Sequence, residues 1–354
     1  LAASIIAALG IGVGIAWPVA SLIPPPAYRT GIDLHVHTAG VGLRGSGCFV
    51  SDALRDSYKF PIYLSAFGVT LDELTTLGDA IVLDRLAKRV AESAVVTHAV
   101  VLALDGVMDV DGNLDREKTQ IYVPNEFVAA QTAKHPSLLF GASVNPNRLD
   151  ALARLDHVKA AGAVLVKWIP GIMDIDPSNR AHIPFYQRLR ALDLPLLTHA
   201  GDERSFGESD DRLGDPLRLQ LALESGVTVI VAHVASAGEN DGEANFERLL
   251  PLFKRYANLY TDISALTQIN RLGYLRKAIA DLRLKGRIVY GSDWPLQFFP
   301  LVSPWYQWPG VSISTLKALS KVENPWDRDV ALKRAMGMPA GVLETGTLLI
   351  RGEH

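Results

Sequence analysis

Gly31-Ile-Asp-Leu-His-Val-His-Thr38 is the stretch on which the reading of this chain turns. Ile32, Leu34 and Val36 alternate with Asp33, His35 and His37, so a β-strand with a period of two residues would place the aliphatic side chains on one face and both imidazoles on the other. Two histidines one residue apart on one strand face can grip a single cation. An isolated His-x-His on the wet face of an edge strand would look the same, so the remaining sequence has to decide.

Downstream, a strand-helix alternation repeats. Thr38 to Gly68 is rich in Gly, Ser and aromatics and reads as a long loop, followed by an amphipathic helix over Leu71 to Glu92. Further strands are expected at Ala94 to Asp105, Leu138 to Asn145, Gly162 to Trp168, Leu194 to Ala200, Val227 to Val234, Asn258 to Ser264 and Arg287 to Asp293, with helical patterns such as Arg148 to Ala161 and Pro216 to Ser225 between them. With the first strand this makes eight β/α units, which predict a closed (β/α)8 barrel of the TIM type. A length of 354 residues suits one such barrel with loop insertions, over residues 29–354.

Polar residues recur at the ends of these strands. His35 and His37 end the first, Lys167 the fourth, His199 the fifth, His233 the sixth and Asp293 the eighth. The carboxyl ends of barrel strands form one mouth, so side chains far apart in sequence would converge there. Each has an ordinary structural explanation taken singly; five strand ends doing the same thing do not.

Composition narrows the function. Lys+Arg 35 against Asp+Glu 38 gives a net charge of −3, with 48% hydrophobic and 21% charged residues, so no basic surface for nucleic acid is indicated and a small-molecule substrate is expected. The one cysteine, Cys48, excludes an internal disulfide and a Cys-rich zinc module. A homo-oligomer stays open.

Residues 1–28 carry no charged side chain, and Leu1 to Ile23 is long enough to cross a hydrocarbon layer of about 30 Å. The segment reads as a membrane anchor or export signal with Pro24, Pro25 and Pro26 as a stiff spacer, which implies a membrane-associated protein with a single N-terminal span.

The motifs Asp33-Leu-His-Val-His, Lys167-Trp, Thr198-His-Ala-Gly-Asp, Ala232-His-Val and Gly291-Ser-Asp-Trp-Pro together resemble the amidohydrolase superfamily, more narrowly the amidohydrolase-related metal-dependent hydrolases, over about residues 31–340. The resemblance implies a distorted (β/α)8 barrel with one or two divalent metals, usually zinc, at its mouth. It implies His35, His37, His199 and Asp293 as metal-site residues, His233 as a further ligand if two metals bind, and Lys167 as a ligand only if carboxylated. The N-terminal apolar segment departs from typical members. Zinc suits imidazole and carboxylate donors and leaves room for a water. Asp293 is then the expected general base, with His233 ligating a second metal or steadying an oxyanion.

Arg44, in a glycine-rich stretch after the first strand, would suit a substrate carboxylate; Lys167 could hold a substrate oxygen, and Trp168 could add an apolar wall. Asp202 and Glu203 are either supporting acids of the site or cap charges. Asp109-Val-Asp-Gly-Asn-Leu-Asp is like a calcium loop, but Leu114 stands at the required glycine and Gln120 at the twelfth position, so it reads as a solvated turn. The expected activity is metal-dependent hydrolysis of a C–N or C–O bond of an amide, lactone or ester. The alternatives are metal-dependent decarboxylation of an aromatic or unsaturated acid, or a catalytically idle membrane-bound barrel serving as an interaction domain.

Overall fold

The computed structural model describes residues 31–295 and 301–352. Eight parallel strands run in the order β1 (Gly31–His37), β2 (Val96–Leu102), β3 (Leu138–Ala142), β4 (Leu165–Trp168), β5 (Leu196–Thr198), β6 (Val229–Val231), β7 (Leu259–Asp262) and β8 (Ile288–Val289). Each pairs with its sequence neighbour, for example Ala99 with Leu138 and Thr198 with Val231. The ring closes between the last strand and the first, where Leu34 N–H donates to Tyr290 O at 3.1 Å, His37 N–H to Trp294 O at 2.9 Å and Asp293 N–H to His35 O at 2.9 Å. This is the expected barrel, with shorter strands than the apolar runs suggested, because each run continues into the loop above the strand.

One feature of β1 departs from simple alternation. Between Asp33 and Val36 the register slips: Asp33 faces Ala99 and Val36 faces Val101, so three steps on β1 match two on β2. The extra residue is a bulge, and it lets two consecutive side chains turn inward. Ile32 and Leu34 join Val100, Leu102, Leu165, Leu197, Ile230 and Val289 in the barrel interior. His35 also points inward, toward the mouth, whereas Asp33 is turned out to accept from Trp326 Nε1 at 2.7 Å. Asp33 therefore does not share a face with the histidines, contrary to the strict period-two reading.

The lower end of the barrel is plugged by the helix Val342–Arg351, whose Leu349 belongs to the interior cluster and whose Gly346 lies against Leu34. The outer layer buries large side chains against the strands. Trp168 stacks on Phe185 at 6.0 Å between ring centres, and Trp294 on Trp326 at 4.9 Å.

Two expectations for the loops change. Thr38 to Gly68 is not a plain loop: it contains the short helix Asp52–Arg55 and the helix Lys59–Phe67, and Phe49–Val50 pairs with Ile121–Tyr122 in a two-stranded sheet. The helix expected over Leu71 to Glu92 is two helices, Leu71–Leu77 and Ile81–Ala91, broken at Gly78, whose φ of 85° a residue with a side chain would rarely adopt. The anchor expected over residues 1–28 lies outside the described residues. Among the described residues no helix is long and apolar enough to cross a membrane. The membrane-associated location with an N-terminal span, expected from the sequence, is corrected on that finding.

Candidate metal centre

At the mouth, His35 Nε2 lies 3.1 Å from His37 Nε2 and 3.6 Å from Asp293 Oδ1, and His37 Nε2 lies 3.3 Å from the same Asp293 oxygen. Donor atoms placed about 2.0–2.1 Å from a tetrahedral cation stand roughly 3.3 Å apart, so this triangle has the dimensions of three ligand positions around one ion.

The tautomers follow from the groups beneath. His35 Nδ1 is 2.8 Å from Asp262 Oδ2, so it carries its hydrogen there and turns the Nε2 lone pair to the mouth. Ser264 donates its hydroxyl hydrogen to Asp262 Oδ1. That leaves Ser264 Oγ as an acceptor for His233 Nδ1 at 2.7 Å, and Ser264 O, at 3.2 Å from the same nitrogen, accepts as well. His233 is thus also an Nδ1–H tautomer with its Nε2 lone pair free to receive. A single buried carboxylate, Asp262, orients two histidines, and its Oδ1 also accepts from His233 N–H at 2.8 Å. Burial, reinforced by the charge of Lys167, holds the His35 imidazole well below its ordinary range; burial, reinforced by Arg271, does the same to His233. Both stay neutral, the state in which an imidazole binds a metal.

The backbone here is unusual. His233, Val234 and Ala235 have φ of 55°, 51° and 50°, and Asp293 has 63°, left-handed values that side chains disfavour and that surrounding bonds must hold in place. Gly291 is needed for contact: a Cβ there would lie 2.9 Å from His35 Cβ.

Lys167 reaches the centre from β4, with Nζ 3.3 Å from His35 Nε2. Burial lowers its ammonium to about 8, against the pull of Asp262, Asp293 and Glu203. His199 lies nearby, its ring 5.4 Å from that of His233, but its Nδ1 faces Glu203 at 3.5 Å and its Nε2 the Asp202 carbonyl at 3.4 Å. Burial lowers its pKa despite Glu203. Its nitrogens do not join the His35–His37–Asp293 triangle. A second close grouping, His35, His233 and Asp262, is already satisfied by the hydrogen bonds through Ser264.

Above the centre is a cavity of about 450 Å³, lined at its base by these groups and by Glu203 and Arg271, and on its walls by Phe60, Tyr63, Leu64, Phe67 and Ile121. Two expected substrate contacts are not in it. Arg44 is exposed and donates to the Thr76 carbonyl, because the left-handed turn at Arg44, φ 53°, swings its side chain toward the helix Leu71–Leu77. Trp168 follows Lys167 on β4 and so points to the opposite face, fully buried against Phe185 and Tyr186. Asp262, Ser264 and Arg271 were not picked out from sequence. Asp262 had the same signal as the others, a polar residue ending an apolar strand, in Leu259-Tyr-Thr-Asp.

A family model described as Amidohydrolase matches residues 32–307. The chain belongs to this amidohydrolase family. No curated protein matches it in sequence. Among solved structures it is similar to a putative 2-pyrone-4,6-dicarboxylic acid hydrolase from Pseudomonas putida, at 16% identity and TM-score 0.54, covering 92% of this chain and 99% of that one. It is also similar to a probable 2-pyrone-4,6-dicarboxylic acid hydrolase from Acinetobacter baumannii, at 14% identity and TM-score 0.55, covering 91% and 100%. The apo form of IDCase from Metarhizium anisopliae aligns at 16% identity and TM-score 0.50, covering 92% and 98%. At these identities the likeness is one of fold.

Proposed function

We propose that the protein is a metal-dependent hydrolase that cleaves a C–N or C–O bond next to a carbonyl in a small molecule, with a single zinc ion held by His35, His37 and Asp293. The observation that carries this reading is the triangle of His35 Nε2, His37 Nε2 and Asp293 Oδ1, with separations of 3.1, 3.3 and 3.6 Å, among the residues that line the cavity. Membership of the amidohydrolase family supports the reaction class. When bound, the cation supplies Lewis acidity toward a carbonyl oxygen and makes water acidic enough to lose a proton near neutral pH.

The residues divide the remaining work. Asp293 accepts the proton of the attacking water at its carboxylate and returns it to the leaving nitrogen or oxygen. His233, fixed as an Nδ1–H tautomer by Ser264, receives a hydrogen bond from that water at Nε2 and so aims it; as a neutral imidazole of this tautomer it is not a donor for an oxyanion. Lys167 is the cationic donor of the site and holds the substrate oxygen on which charge grows.

The test combines elemental analysis with activity against lactone, ester, amide and aromatic-acid panels, with carbon dioxide monitored. About one equivalent of zinc, hydrolysis lost on chelation, and a fall of about a hundredfold or more in turnover for Asp293→Asn are expected. Metal-free protein with full activity overturns the metal assignment, and carbon dioxide release without hydrolysis converts the reading to a lyase.

A further inference from the structure

Arg271 belongs to the turn Ile269–Arg271, nine residues beyond Asp262, and lines the cavity beside the metal triangle. Its Nη1 donates to Ser236 Oγ at 2.7 Å, and Ser236 N–H in turn donates to the His233 carbonyl at 3.0 Å. The guanidinium is therefore tied to the same turn that carries His233. The turn is itself anchored, with Arg271 N–H donating to Gln268 O at 3.0 Å and Ile269 N–H to Leu301 O at 3.1 Å.

The other edge of the guanidinium is unused. Among the described residues, Nε is buried with no hydrogen-bond partner, the guanidinium's one hydrogen bond is that from Nη1, and no carboxylate lies within ion-pair distance of it. Other well-covered arginines of the chain are treated differently. Arg148 gives its Nε and Nη2 to Asp105 at 2.6 and 2.7 Å, and Arg248 gives the same pair of nitrogens to Asp215 at 3.1 and 2.7 Å. The Nε–Nη2 edge is the fork that matches the two oxygens of a carboxylate, and a covered guanidinium without such a partner is costly. At Arg271 that edge has no such partner among the described residues, and the residue lines the cavity.

The walls state what else the occupant must be. Phe60, Tyr63, Leu64 and Phe67 come from one helix and Ile121 from the opposite side, so the space above the centre is largely apolar. Lys59 and Tyr63 tie this helix across the mouth, donating to Phe206 O at 3.1 Å and Ser205 O at 2.6 Å.

We propose that Arg271 is a substrate-binding residue whose Nε–Nη2 edge takes a carboxylate of the substrate, so that the enzyme acts on small carboxylic acids with an apolar body lying against Phe60, Tyr63 and Phe67. This rests on the hydrolase reading for the word substrate, but the binding site stands or falls by itself. It places anion recognition after the seventh strand, not at Arg44.

The test is calorimetric binding of 3-phenylpropanoate and of 3-phenylpropanamide, its uncharged isostere, to the purified protein, without turnover. The acid should bind the native protein at least about tenfold more tightly than the amide, as hydrogen bonds to a charged group allow. Arg271→Met should bind the two equally, and Arg271→Lys, which keeps the charge and loses the fork, should fall between. Thermal melting of both variants within a few degrees of the native protein shows that the fold is intact; should Arg271→Met not fold, Arg271→Gln takes its place. No preference for the acid in the native protein, or an undiminished preference in the Arg271→Met or Arg271→Gln protein, overturns the proposal. Acid-selective binding with no hydrolysis of any panel compound leaves the site in place and removes the hydrolase reading instead.

Discussion

Asp262 shows how much of the proposed metal centre lies behind the side chains that would hold the ion. It is fully buried, and its two oxygens meet His35 Nδ1, the Ser264 hydroxyl and the His233 backbone N–H. Replacing Asp262 by Asn keeps the size but puts an amide where a carboxylate selects the Nδ1–H form of His35. Metal affinity should then drop about 10- to 100-fold, the usual cost of losing such a supporting group. Titration against a competing chelator measures this; unchanged affinity would mean that the His35 tautomer is set elsewhere. The residues that sequence pattern located, His35, His37, His233 and Asp293, are those whose chemistry makes them stand out at the end of an apolar strand. Ser264 and Arg271 are ordinary surface types in sequence, and only the turns that carry them bring them to the mouth.

At the scale of elements, the strand pattern was legible because burial on both faces writes an unbroken apolar run. The slip in β1 was not, since a bulge adds one residue without changing composition. Neither was the helix Lys59–Phe67, whose apolar residues serve a cavity and a core at once and so show no single stripe. Among the described residues, Lys59 and Tyr63 tie that helix over the mouth. Tyr63→Phe removes the hydroxyl that donates to the Ser205 carbonyl and leaves the ring against the cavity. Loss of the bond to Ser205 weakens the closed arrangement by at least about 1 kcal/mol, so KM should rise about fivefold or more with kcat nearly unchanged. A large fall in kcat with unchanged KM would assign Tyr63 to the chemical step.

The whole molecule divides its two ends between function and stability. Ionisable side chains converge on the carboxyl end of the strands, while the amino end is sealed by aliphatic residues from β1 and from the helix Val342–Arg351. The helix Val342–Arg351 has no sequence signal that marks it as the plug, because its apolar face would fit an outer layer equally well. Leu349 is the residue that commits it: it is 1% exposed and packs with Ile32, Leu34 and Val289 inside the ring. Leu349→Ala leaves a void among side chains of β1 and β8, which the closed barrel holds in place, and should cost about 2–4 kcal/mol in denaturant unfolding. The centre lies at the other end, so metal content and KM should stay at native values in the folded variant. A parallel loss of metal would show that the two ends are mechanically joined through β1, whose Leu34 touches the plug and whose next residue is the proposed ligand His35.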